Sequence, residues 1–161
     1  MVYQTMTNVT LLSSDMQQIN ASVDSIKQSR TIWDIVEDVG LDEVIPVPNV
    51  TFDILGKVIE FCDFHFQEHT RKEIEEFETE FFSVDTDVLF EIITAANFLD
   101  IPKLLDISCS AAADVIRGKN PDEIRAILKV ENTYTKEEEE AIKRENSWAF
   151  PTKTVHFRDF F

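Results

Sequence analysis

Glycine is almost absent: Gly40, Gly56 and Gly118 are the three in 161 residues, far from one another. A loop that cradles phosphate needs clustered glycines so that backbone amides can approach the anion, and nucleotide chemistry is therefore not expected. Cysteine is as scarce, since Cys62 and Cys109 are too few for a disulfide framework. Positive charge is in deficit, with 15 Lys and Arg against 31 Asp and Glu for a net charge of −16. Binding to a nucleic-acid backbone begins with cations that displace counterions, so no nucleic acid is expected as a partner. No stretch approaches the ~20 apolar residues that span a bilayer, because charges interrupt every hydrophobic segment, and no membrane partner is expected. The N-terminus shows no charged leader followed by an apolar run. With so few cysteines this predicts a reducing, intracellular setting, in which the N-x-[ST] triplets at Asn8, Asn20 and Asn49 are chance matches. Nothing repeats at solenoid period.

What is present suits one domain with an appendage: 43% hydrophobic residues, 29% charged residues and 13 Phe supply a core. Residues 8–12 (NVTLL) and 18–23 (QINASV) are β-prone runs separated by five polar-turn residues, which predicts a hairpin. From Ser25 to Asp38 the apolar residues recur at helical spacing with Gly40 as a stop, giving one or two short helices. Pro46 and Pro48 hold the IPVPNV segment extended, as an edge strand. Thr51 is placed to cap a helix carrying Ile54, Leu55, Val58, Ile59, Phe61 and Cys62. Residues 67–80 are densely charged and poor in core residues, which suggests a solvated helix or loop. Asp85 precedes an apolar helix over 88–99, and Pro102 opens another that Gly118 ends. Asn120-Pro121-Asp122-Glu123 and Thr135-x-x-Glu138 both have capping-box form and predict two short helices, the second with Glu137–Glu140 at its start and Lys143 and Arg144 later.

The chemical motifs are weak. Cys62-x2-His65-x3-His69 has metal-ligand spacing, but Cys62 continues an apolar helix face and no second cysteine lies nearby, so a buried structural thiol is the expectation and no metal is assigned. The three histidines sit in the charged segment or the tail without a nucleophile motif, and acidic pairs such as Glu75/Glu76 read as solvated surface. No catalytic residue and no cofactor are assigned. The helical C-terminal third, ending near Trp148, leaves two readings open: a groove for a partner's helices, or closure of the protein's own core.

Four blocks, in order and spacing, carry a resemblance: IPVPNV, LFEIITAANFLDIPKLLDISC (89–109), GKNPDEIRAIL (118–128) and TKEEEEAIKRENSW (135–148). They resemble the Skp adaptor subunits of SCF ubiquitin ligases, over roughly residues 8–148. The resemblance implies an α/β (α+β) BTB/POZ domain at 1–117 and two additional C-terminal helices at 118–150, with 151–161 as an added aromatic-rich tail. It implies a non-enzymatic adaptor, cytoplasmic and nuclear, that bridges F-box proteins to a cullin N-terminal domain and so promotes ubiquitination. A BTB-fold scaffold that binds F-box proteins without a cullin is the alternative.

Carried over by position, the family's F-box surface falls on Phe90, Ile93, Leu105, Cys109 and Ile116, then on Ile124, Leu128, Val130, Tyr134 and Trp148. The cullin contact, an Asn-Tyr pair in the family, falls on Asn97 and Phe98, so a hydroxyl is missing here. Residues 66–80 replace the family's acidic, often proline-rich insertion with a short Glu-rich connector, expected to be dispensable to both interfaces. An uncovered F-box groove would let the free chain form a weak homodimer that competes with an F-box, and the tail's phenylalanines could occupy the same groove.

Overall fold

A computed structural model describes residues 8–149. The expected hairpin is formed by β1 (Asn8–Leu12) and β2 (Gln18–Ser22), paired antiparallel with Val9 opposite Ala21 and Leu11 opposite Ile19. Ser13 closes its turn twice, its backbone N–H donating to the Gln17 carbonyl at 2.9 Å and its hydroxyl accepting from the Gln17 N–H at 3.1 Å. β3 (Val44–Pro46) joins β1 in parallel, giving the order β2-β1-β3. An edge place suits its proline, which has no N–H for a second neighbour. Val9, Leu11 and Ile45 are fully buried on the inner face of this small sheet.

Helices surround it. α1 (Val23–Ile26) and α2 (Arg30–Val39) are each started by a serine: Ser22 accepts from the Ser25 N–H, and Ser29 from the Ile32 N–H at 3.1 Å. Gly40, at φ 93°, ends α2 in a backbone conformation that L side chains resist. α3 (Phe52–Phe66) starts differently from expectation. Thr51 occupies the cap position but makes no side-chain cap bond; Asp15, at the tip of the hairpin turn, accepts from the Phe52 N–H at 2.9 Å instead. The hairpin thus caps the helix.

The charged stretch is also more than a solvated connector. Residues Arg71–Phe81 form α4, opened by a capping box between Thr70 and Glu73. Its apolar positions Ile74, Phe77 and Phe81 recur at i, i+3 and i+7, one side of a helix. Phe77 stacks on Phe64 of α3 with ring centroids 3.8 Å apart, and Phe81 lies 5.6 Å from Phe61. Five glutamates with Arg71, Lys72 and Thr79 fill the rest of the helix, so mean composition hides the stripe.

α5 (Thr86–Phe98) and α6 (Pro102–Ile116) pack against each other as a helical pair, with Pro102 in the first turn as expected. The core joins Leu11 and Ile45 of the sheet to Leu55 and Phe61 of α3, Ile92 of α5, and Leu99, Ile101 and Leu104 at the α5–α6 junction. Ser29 ties α2 to that junction by donating to the Leu99 carbonyl at 2.6 Å.

The chain divides between Gly118 and Lys119 into two compact units. The buried cluster belongs wholly to the first. The second contains α7 (Pro121–Leu128), α8 (Lys136–Glu145) and a 3-10 turn at Ser147–Ala149. Both predicted capping boxes are present, Asn120 with Glu123 and Thr135 with Glu138. The architecture is mixed helix with a small sheet, the α+β class expected. The tail at 151–161 lies outside the described residues.

Candidate functional site

In the first unit, α5 carries two stripes. Leu89, Ile92, Ala95 and Ala96 face the core, while Phe90, Ile93 and Asn97, at i, i+3 and i+7, form a neighbouring stripe that is half-buried at the two apolar residues and exposed at Asn97. α6 repeats the pattern: Leu104 and Ser108 are buried, and Leu105, Cys109 and Ile116 run along an adjacent line, with Cys109 exposed. Phe90 also borders an open pocket of about 270 Å³ between the start of α3 and α5, shared with Val50, Ile54 and Thr94. Position-by-position reasoning had no means of seeing that pocket, because it depends on how α3 docks against α5.

Asn97 and Phe98 end α5 in different environments. Asn97 is exposed, and its carbonyl accepts from the Asp100 N–H at 3.2 Å. The Phe98 side chain is packed against the first unit's core, and its carbonyl accepts from the Thr31 hydroxyl at 3.0 Å. Phe98 therefore has a structural role of its own.

The second unit is built from short helices whose large side chains stay outside. No residue of α7 or α8 is buried. Ile124 is half-buried, whereas Leu128, Val130 (56% exposed), Tyr134 (55%) and Trp148 (83%) are open to solvent. Lys129, in the left-handed region at φ 54°, ends α7 and turns the chain into the 130–135 segment. There the Asn132 side chain accepts from the Tyr134 N–H at 3.1 Å and donates to Glu139 at 2.5 Å. A pocket of about 230 Å³ lies between the two helices, lined by Pro121, Arg125, Tyr134, Glu139, Ile142 and Lys143 among others. Of these, Tyr134 alone was among the sequence-derived positions. Ile142, the bulky aliphatic residue of α8, was the available signal for the rest.

The residues with metal-like spacing lead separate lives. Cys62 is buried, and that burial, helped by the charge of Asp63, pushes its thiol up to about 12, so it is no thiolate nucleophile. His65 lies within the aromatic cluster rather than in a solvated segment, with its side chain only 2% exposed. Its Nδ1 accepts from the Lys103 ammonium at 2.9 Å, which leaves the proton on Nε2. Nε2 has no hydrogen-bond partner and stands 3.7 Å from Glu78 Oε1. Burial, then the positive charge of Lys103 and the proximity of His69, hold the imidazole down to about 4. His69 stacks flat on Phe64 at 3.9 Å, with a ring nitrogen 3.0 Å from the Phe64 carbonyl. Among the described residues no group of three or more His, Cys, Asp or Glu side chains is placed to hold a metal ion. No described helix is long and apolar enough to cross a membrane.

Comparison with known proteins adds an independent line. Residues 7–67 match the model described as Skp1 family, tetramerisation domain, and residues 102–149 that described as Skp1 family, dimerisation domain. The E3 ubiquitin ligase complex SCF subunit sconC of Neosartorya fischeri is 45% identical over 156 residues, covering 89% of this chain and 99% of that protein. The protein of the same name from Talaromyces stipitatus is 42% identical over 153 residues, covering 88% and 96%. SKP1-like protein 1A of Arabidopsis thaliana is 40% identical over 154 residues, again covering 88% and 96%.

Proposed function

The chain belongs to the Skp1 family, and on that premise we propose that it is a non-enzymatic adaptor joining F-box proteins to a cullin N-terminal domain in an SCF ubiquitin ligase of the cytoplasm and nucleus. The observation that carries this reading is the second unit. An isolated helix shorter than ~12–15 residues is marginal in water, and most helical stability in proteins comes from burying an apolar face. α7 and α8 have 8 and 10 residues and bury nothing fully. Their capping boxes hold the ends, while Leu128, Val130, Tyr134 and Trp148 remain for a partner to cover. Aromatic side chains with a polar tip are favoured interface anchors, since they add large contact area at little entropy cost.

In this role the first unit supplies Phe90, Ile93, Leu105, Cys109 and Ile116 to the F-box, and Asn97 with Phe98 to the cullin. Ubiquitin-transfer chemistry belongs to the partners. With its surface uncovered, the free chain self-associates weakly and loses that association to an F-box. The test is light scattering coupled to size exclusion on the chain mixed with an F-box domain, a cullin N-terminal domain, and both. A 1:1:1 complex is expected. Binding to the F-box but not the cullin would replace the bridging role with the cullin-independent scaffold, and binding to neither would overturn the proposal.

A further inference from the structure

We infer that Ser29, Arg30 and Thr31 are positioning residues for the cullin contact: they take up the carbonyls that end α5 and so set the direction in which the Asn97 side chain is presented. The positioning role rests on reading Asn97 as part of that contact; the hold on α5 does not.

The last four carbonyls of a helix have no partner within it. α5 closes its end partly by itself: the Asp100 N–H donates to the Asn97 carbonyl at 3.2 Å and the Ile101 N–H to the Ala96 carbonyl at 3.0 Å, the paired bonds of a Schellman end. Such an end needs one residue in the left-handed region, where glycine is at ease. Here that residue is Asp100, at φ 48°. A side chain makes this conformation less favourable than glycine would, so support from outside the helix counts.

The support comes from the start of α2. The Ser29 hydroxyl donates to the Leu99 carbonyl at 2.6 Å, in the buried interior, and the Thr31 hydroxyl to the Phe98 carbonyl at 3.0 Å. The Thr31 N–H reaches the Leu99 carbonyl at 3.4 Å and the Arg30 N–H the Asp100 carbonyl at 3.3 Å. The Arg30 guanidinium donates to the Asp100 carboxylate at 3.0 Å. Three successive carbonyls, and the left-handed residue itself, are thus held by three successive residues of α2 and its cap. The amides that open one helix and the carbonyls that close another carry opposite partial charge, so the meeting is favourable along its whole length.

Asn97 stands one residue before the first held carbonyl, and its own carbonyl lies inside the Schellman pair. Helix ends fray, and an end that must be ordered when a partner arrives subtracts that ordering from the affinity. With the end of α5 fixed in advance, the exposed Asn97 amide meets a partner in one geometry. Phe90 and Ile93 lie at least a turn earlier on α5, and the other F-box candidates lie on later segments. The hold therefore acts on one interface and not on the other.

The experiment compares the full chain with two variants at half-buried Thr31. Thr31→Val exchanges the hydroxyl for a methyl at equal size and keeps the backbone bonds, and Thr31→Ser keeps the hydroxyl. Affinities for a cullin N-terminal domain and for an F-box domain are measured by calorimetry, and hydrogen exchange is followed at the Leu99, Asp100 and Ile101 amides. Thr31→Val is expected to weaken cullin binding about fivefold and to speed that exchange by a similar factor, as the contact-ready population falls, while Thr31→Ser stays within about twofold of the unaltered chain and F-box affinity does not move. Unchanged exchange in Thr31→Val would overturn the hold. Faster exchange with unaltered cullin affinity would make Thr31 a structural residue and overturn positioning, as would an equal loss toward both partners. If the unaltered chain bound no cullin domain, the contact reading would fall and the positioning role with it, while exchange still decided the hold.

Discussion

Replacing His65 with phenylalanine should free the protein of a sensitivity to mild acid. The fold holds this imidazole neutral: its side chain is 2% exposed among Phe61, Phe64 and Phe77, Lys103 donates to Nδ1, and its pKa is held down to about 4. In the unfolded chain the ordinary value is about 6.5. As pH falls, the unfolded state therefore takes up the proton first. The stability this site contributes is complete above pH ~6.5, erodes through the window down to about 4, and is gone below it. The gap corresponds to roughly 3 kcal/mol at the acid limit and about 2 kcal/mol at pH 5. Glu78, 3.7 Å from Nε2, would recover part of that once the ring is charged, while Lys103 would oppose it. Urea denaturation followed by circular dichroism at pH 7.5 and pH 5 provides the measurement. The wild-type chain should lose about 2 kcal/mol more than His65→Phe between those pH values. The carboxylates that also titrate are common to both proteins and cancel. Losses that agree within ~0.5 kcal/mol would show that His65 is not held neutral, and would refute its burial behind α4.

Three further outcomes follow from the geometry. Trp148→Ala should weaken F-box binding by ~2 kcal/mol or more, measured by calorimetry, and leave cullin affinity and the thermal midpoint unchanged, because the residue is 83% exposed in the free chain. Asn97→Lys should weaken cullin binding at least tenfold in the same assay while F-box binding persists; the substitution is confined to Asn97 because charge at Phe98 would enter the packed core. Asp15→Ala should lower the urea midpoint through the loss of the α3 cap, whereas Thr51→Ala should leave it nearly unchanged.

Those paired outcomes mark how far the sequence was legible. Signals local to a few residues carried through: the proline-bearing edge strand, the two C-terminal capping boxes, Pro102 opening α6 and Gly40 ending α2. The capping box at Thr70 and Glu73 was equally local, yet the charge around it obscured the helix it begins. What depended on residues distant in the chain was not legible. The Asp15 cap joins positions 37 apart, and the burial of His65 follows from α4 laying Phe77 over α3. The candidate site divides the same way. Helical spacing grouped Phe90, Ile93 and Asn97 on one stripe, but spacing alone could not say that Phe98 serves the core, or that Pro121, Arg125 and Ile142 wall a pocket beside Tyr134.

Phe98 sharpens the functional reading. Where the resembled family has a tyrosine hydroxyl at the cullin contact, this chain has a bare ring already committed to its own interior, with its carbonyl held by Thr31. Loss of one donor at an interface costs about 0.5–1.5 kcal/mol when water can replace it, and more when the partner's acceptor is left buried. The exposed Asn97 amide is then the polar side chain of the pair still available. The proposed F-box side stands differently, since its candidate residues in the second unit include Trp148, an aromatic side chain that is 83% exposed among the described residues. On the proposed reading the two interfaces should therefore differ in resilience: the F-box side would draw on many apolar side chains, of which Leu105 also packs against the core, whereas the cullin side at this end of α5 would draw on one amide and the part of one ring that the core leaves exposed.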